Sequence, residues 1–118
     1  MQKASLVRED SDKRILKAVR YIRENLDKEI TINKLSELCY LTNDHFIRLF
    51  KTEMHCTPVR YINQKKIEKA QLMLITSDKS IKDIAYGLAF DNLHYFYRLF
   101  KQITGMPPNQ YKKGFAYI

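Results

Sequence analysis

Apolar residues recur along this chain with the period of an α-helix from near its start to its end. In "SDKRILKAVRYIRENL", Ile15, Val19, Ile22 and Leu26 stand at i, i+4, i+7 and i+11 with charged residues between them, which is the spacing of one buried helical face. This predicts a helix over residues 11–25 or 26. Thr31 then stands as an N-cap before "INKLSELC", with Ile32, Leu35 and Leu38 or Cys39 turned inward. "YLT" makes a brief turn, and Thr42 caps a helix over about residues 43–54. Thr57 is the N-cap and Pro58 the first residue of a long helix over residues 58–76, because Pro lacks an N–H that a first turn leaves unpaired anyway. Val59, Ile62, Ile67, Ala70 and Leu74 are expected on its buried side. Ser80 and Asp83 form a capping-box-like pair ahead of "IKDIAYGLA". Asp91 or Asn92 caps the next helix, Gly105 closes it, and Pro107-Pro108 opens a last short helix to about Lys113. With only 3 Gly and 3 Pro and little β-branched alternation, the expected class is all-α, with about seven helices.

The pattern also repeats. "HFIRLFK" starts at His45 and "YFYRLFK" at Tyr95, 50 residues later, with five of seven letters alike. Upstream, Ile32, Leu35 and Cys39 match Ile81, Ile84 and Leu88 at an offset of 49. From Phe46 and Phe96 onward the offset is 50, through Thr57-Pro58 and Tyr61 against Pro107-Pro108 and Tyr111. One extra residue is therefore expected in the second turn. Each copy is a short helix, a tight turn and a longer helix, the outline of a helix-turn-helix. Two copies are too few for a solenoid. The expected organisation is a first unit over residues 11–57, a linking helix over 58–76 and a second unit over 77–118.

Advancing about 100° per residue from Phe46 places Leu49 and Phe50 on its side of the helix, and Asp44, Ile47, Arg48 and Lys51 opposite. In the second copy Phe96, Leu99 and Phe100 face inward, and His94, Tyr97, Arg98 and Lys101 outward. The Phe-Leu-Phe stripes are core residues, not a platform for stacked bases. One exposed Arg and Lys on a helix is ordinarily solvated charge, but their return at the same angle on the second helix of each pair favours a shared task. An Arg in a major groove can donate two parallel hydrogen bonds to guanine O6 and N7, and Lys can neutralise phosphate with release of counterions.

Charge supports that reading. Lys and Arg number 21 against 13 acids, a formal +8, which favours a polyanionic partner, nucleic acid before anionic membrane. The linking helix adds a geometric argument. Roughly 18 residues at 1.5 Å rise span about 27 Å, against about 34 Å between successive major-groove faces on one side of B-DNA. A single chain could then hold two reading helices near that spacing.

The residues also resemble a known family. "IKDIAYGLAFDNLHYFYRLFKQITGMPPNQYKK" is similar to the second-unit signature of the AraC/XylS transcription regulators. "LTNDHFIRLFKTEMHCTPVRYI" and the linking-helix run "IEKAQLML" fit the first half. The resemblance covers about residues 14–113. It implies two helix-turn-helix subdomains joined by a long helix, sequence-specific binding of double-stranded DNA, and insertion of the second helix of each unit into successive major-groove segments. Carried across, base contacts fall to Asp44, Ile47, Arg48, Leu93, His94, Tyr97 and Arg98. Phosphate contacts fall to Thr31, Lys51, Ser80, Lys101 and Lys112. It implies a bacterial regulator acting in the cytoplasm on the nucleoid, an activator by preference, with RNA polymerase as a partner. It also implies a sensing or receiver domain that does not fit in 118 residues, so that residues 1–10 read as a leader or linker remnant.

This chain departs from the family at several positions. His55 stands where Gly is usual after the first reading helix, which in a left-handed conformation costs on the order of 1 kcal/mol. Ala89 replaces a common Gly, and Gly87 inside the preceding helix weakens it. Lys66 replaces a usual Arg, so a bidentate internal contact is expected to be lost. Asp44 and Ile47 suggest that the first helix reads through methyl contact and shape.

Other classes find less support. Cys39, His45, His55 and Cys56 fit no zinc-finger spacing, and Cys39 belongs to an apolar face. No metal or cofactor is expected. There is no nucleophile elbow, no phosphate-cradling Gly loop and no paired carboxylates, so no enzyme is expected either. No apolar run approaches a membrane span. The competing reading is a basic helical protein-interaction module without sequence-specific DNA binding.

Overall fold

The computed structural model describes residues 11–115, with backbone alone for Phe115; the expected leader over residues 1–10 lies outside the described residues. Seven helices are found among them: α1 (Lys13–Glu24), α2 (Ile32–Leu38), α3 (Asn43–Met54), α4 (Pro58–Thr76), α5 (Ile81–Gly87), α6 (Leu93–Thr104) and α7 (Pro108–Phe115). The chain forms two compact units, one of residues 11–25 and 29–62, the other of residues 26–28 and 63–115.

In the first unit, Asp12 caps α1 by accepting from the Arg14 N–H at 2.9 Å. The helix buries Ile15, Ala18, Val19 and Ile22. Thr31 and Thr42 cap α2 and α3, accepting from the N–H groups of Lys34 and His45. Where these helices meet, Asn43 Nδ2 donates to Asn33 Oδ1 at 2.7 Å, and the buried Ser36 hydroxyl lies 2.6 Å from Asn43 Oδ1. Thr57 caps α4, its Oγ1 accepting from the Arg60 N–H. Phe46 and Phe50 are fully buried and pack ring to ring at 5.6 Å, and Phe50 meets Tyr61 edge-on, also at 5.6 Å. Arg23 Nε donates to the Tyr61 hydroxyl at 3.0 Å, which gives that ring's polar end a partner inside the fold.

The second unit repeats this arrangement at the expected offsets. Ser80 and Asn92 are the N-caps of α5 and α6. Phe96 packs on Phe100 at 5.9 Å, and Phe100 meets Tyr111 edge-on at 5.6 Å. Phe90 adds a further ring against Phe96. Fully burying side chains of this kind stabilises each unit by roughly 1.5–3 kcal/mol apiece.

The backbone repeats as well. After α2, Tyr40 takes a left-handed conformation (φ 58°) and the Leu41 N–H donates to the Ser36 carbonyl. After α5, Ala89 does the same (φ 65°) and the Phe90 N–H donates to the Ala85 carbonyl. Both are six-to-one closures of a helix C-terminus, which satisfy a carbonyl the helix leaves open. Between C-cap and N-cap lie two residues, Tyr40 and Leu41, in the first turn and three, Ala89 to Asp91, in the second. That is the extra residue the offset change predicts. His55 (φ 64°) and Gly105 (φ 91°) then end α3 and α6 alike, each N–H donating at 2.8 Å to the carbonyl of Lys51 or Lys101.

Three expectations need correction. Val59 is 53% exposed; the buried residues near it are Pro58, Tyr61 and Ile62, and Val59 falls outside their face. Leu49 is only half-buried, whereas its counterpart Leu99 is buried. Lys66 does not lose an internal contact. It is 5% exposed, and its Nζ donates to the carbonyls of Leu26 at 2.9 Å, Lys28 at 2.9 Å and Leu88 at 2.6 Å. Three N–H groups meet three oxygens, which a compact ammonium can do and a planar fork matches less well. The Phe90 ring lies 5.7 Å from the same nitrogen.

Candidate nucleic-acid interface

The outward face of α3 carries Asp44, Arg48 and Lys51, all exposed, with Ile47 half-buried at its edge. On α6, His94, Arg98 and Lys101 are exposed, with Leu93 and Tyr97 half-buried. The helical wheel thus separates the charged residues from the core, while Ile47, Leu93 and Tyr97 sit at the boundary and offer only part of their surface. Lys51 and Lys101 lie in the last turns of their helices, where a cation also offsets the negative end of the helix dipole. Asp44 lies in the first turn of α3, where a carboxylate is favoured for the same reason.

Thr42 and Asn92 cap the helices that carry these faces, and Thr31 and Ser80 cap the helices before them. Thr31 and Ser80 direct their side-chain oxygens at the N–H groups of Lys34 (3.1 Å) and Asp83 (3.0 Å), so any anion at either helix start would bond the remaining first-turn amides. Lys112 Nζ donates to the Lys79 carbonyl at 3.3 Å, which ties α7 to the connection before α5 and uses one of its three hydrogens. Cys39 is buried, with Sγ 3.2 Å from the Arg14 carbonyl oxygen. Burial pushes its thiol above the usual range, which keeps it protonated and a poor metal ligand.

One set of contacts was not visible in the sequence. The Arg98 guanidinium lies over the Tyr95 ring, 5.6 Å from its centroid. The Tyr95 hydroxyl accepts from Asn63 Nδ2 at 3.1 Å, and the ring also packs beside Phe90 at 6.1 Å. The i, i+3 spacing of Tyr95 and Arg98 was legible; the partner on α4, 32 residues earlier, was not. His45 holds the place of Tyr95 in the first copy.

Comparison with known proteins places this architecture. The helix-turn-helix domain family matches residues 35–114. The melibiose operon regulatory protein of Escherichia coli is 36% identical over 93 residues, covering 79% of this chain and 31% of that protein. The bifunctional transcriptional activator/DNA repair enzyme AdaA of Bacillus subtilis is 34% identical over 93 residues, covering 79% of this chain and 44% of that protein. The chain therefore spans less than half the length of these relatives. Among solved structures, the DNA-binding domain of the transcriptional factor AdpA, in complex with a target DNA, superposes with a TM-score of 0.84 over 88% of this chain and 94% of that one. At 21% identity that likeness speaks for the fold alone. The duplicated helix-turn-helix, its caps and these matches agree: the chain belongs to the AraC-type helix-turn-helix family of transcription regulators.

Proposed function

We propose that this chain is the DNA-reading part of a bacterial transcription regulator, with α3 and α6 entering successive major-groove segments of one duplex. The observation that carries this reading is the return of an exposed Arg and Lys, Arg48 with Lys51 and Arg98 with Lys101, at equivalent positions on the second helix of both units. Arg48 and Arg98 are the principal base readers. Asp44, Ile47, Leu93, His94 and Tyr97 supply neighbouring base contacts, the half-buried ones through their exposed edges. Lys51, Lys101 and Lys112, with the helix starts at Thr31 and Ser80, meet phosphate oxygens. The regulatory roles in the relatives' names support a double-stranded DNA target. The greater length of those relatives supports a signal-receiving part joined to this segment. Activation is the regulatory mode we favour, the role printed in AdaA's name, with RNA polymerase as the partner it would contact; the repair activity in that name stays with that protein. We read this chain as non-enzymatic.

Selection of duplexes from a randomised pool, followed by titration at several salt concentrations, tests the reading. It requires an enriched sequence with two conserved segments, and log affinity falling linearly with log salt. Binding without sequence preference would overturn it.

A further inference from the structure

We propose that Tyr95 is a positioning residue for Arg98 and that Asn63 in turn holds Tyr95, so that the second reading head is set before it meets DNA. This rests on the reading of Arg98 as a base contact. Three observations carry it. The guanidinium of Arg98 lies 5.6 Å from the Tyr95 centroid, within the range where an arginine is attracted to an aromatic face. The Tyr95 side chain is fixed at both ends, its hydroxyl by Asn63 Nδ2 at 3.1 Å and its ring by Phe90 at 6.1 Å. Tyr95 is nevertheless 38% exposed, so filling the core does not account for its whole surface.

The chemistry suits a groove reader. An arginine attracted to the face of a ring still has N–H donors directed away from it, and a guanidinium held in this way can present a pair of them to guanine O6 and N7. An exposed Arg otherwise loses rotamer freedom when it binds, and a side chain held beforehand loses less. The benefit falls on discrimination at one base pair, because a misplaced fork makes one hydrogen bond where a placed fork makes two. Asn63 lies on α4 and Tyr95 on α6, so the hydrogen bond between them ties the start of the reading helix to the linking helix.

The test uses the full chain and a duplex selected by it from a randomised pool, with each base pair varied singly. Arg98→Ala identifies the base pair that Arg98 reads. Tyr95→Leu is expected to lower discrimination at that pair about 2–5-fold, the range of an exposed cation–aromatic contact. It should leave affinity for unrelated duplexes unchanged and have no further effect on discrimination once Arg98 is Ala. Tyr95→Phe and Asn63→Ala, which keep the ring, should act at the same pair more weakly and without adding to each other. Thermal melts accompany each variant; should Tyr95→Leu fail to fold, Tyr95→Phe and Asn63→Ala decide the matter. A uniform loss across all sequences, an unchanged preference at the Arg98 pair, or an equal effect of Tyr95→Leu in the Arg98→Ala background overturns the proposal. If Arg98→Ala itself relaxes no single position, the base-reading role falls and this inference falls with it. If Arg98→Ala does so and the Tyr95 and Asn63 variants do not, this inference alone is wrong.

Discussion

Lys66 Nζ lies 2.6 Å from the carbonyl oxygen of Leu88, the residue that ends α5. That oxygen is one of three converging on the ammonium; those of Leu26 and Lys28 are the others. A buried cation at a helix C-terminus is favoured by the dipole and by charge-assisted hydrogen bonds, and its removal leaves carbonyls in the core without their donor.

Lys66→Met should therefore destabilise the second unit by about 2–5 kcal/mol, the cost of stranding buried polar groups. Lys66→Arg should cost less, on the order of 1 kcal/mol, because the charge remains while the convergence on one nitrogen is lost. Urea unfolding of both variants measures this. An unchanged midpoint for Lys66→Met would show that the three bonds contribute little.

The left-handed residues give a prediction of opposite sign. His55 is exposed and Tyr40 is 90% exposed, and both have positive φ. Neither recovers through burial what the backbone conformation costs. His55→Gly and Tyr40→Gly should each stabilise by about 0.5–1 kcal/mol, the relief of the left-handed conformation less the added freedom of the unfolded chain. Thermal melts should rise by a few degrees. A fall in either would mean that the side chain contributes more than its surroundings suggest.

Asp12 yields a pH dependence. The Arg14 side chain, bonded at 2.9 Å and 3.2 Å, holds the Asp12 carboxyl below its ordinary value of 3.8. Its folded value is lowered, so its stabilisation is complete above the ordinary value and is lost as pH falls through the lowered one. Arg14 is exposed and Asp12 half-buried, so solvent screens the pair and keeps its contribution small. Stability measured from pH 5 downward should decline more steeply in the parent chain than in Asp12→Asn, in which the cap remains and does not titrate. Parallel curves would remove Asp12 from the account.

Much of this fold could be read from local signals, because a cap and the face it precedes lie within a few residues of each other. Thr31, Thr42, Thr57 and Ser80 all cap where their side chains and spacing indicated. The change of offset from 49 to 50 corresponds to the longer second turn. What escaped was non-local or conformational. Ala18 is fully buried but too small to mark a stripe. The left-handed Tyr40 has a side chain that argues against such a backbone. The Lys66 contacts reach 22, 38 and 40 residues away, and a lysine letter looks the same in solvent as in a core. Of the site, the outward residues were legible as an angle on a helix; the support of Arg98 by Tyr95 and Asn63 was not.

The lysines at the ends of the reading helices should act through charge alone. Lys51→Ala and Lys101→Ala should each weaken binding to all duplexes by a similar factor and reduce the slope of log affinity against log salt by about 1. Loss of preference at a single base pair would move either residue from the phosphates to the bases.

The most direct measurement is guanine N7 methylation interference on a selected duplex, with the parent chain, Arg48→Ala and Arg98→Ala. Two groups of interfering guanines should be centred about 10 base pairs apart, one helical turn. Arg48→Ala should abolish one group and Arg98→Ala the other, since each arginine contacts N7 in its own groove segment. A single group, or the same pattern with all three proteins, would contradict a chain that reads DNA with two helices.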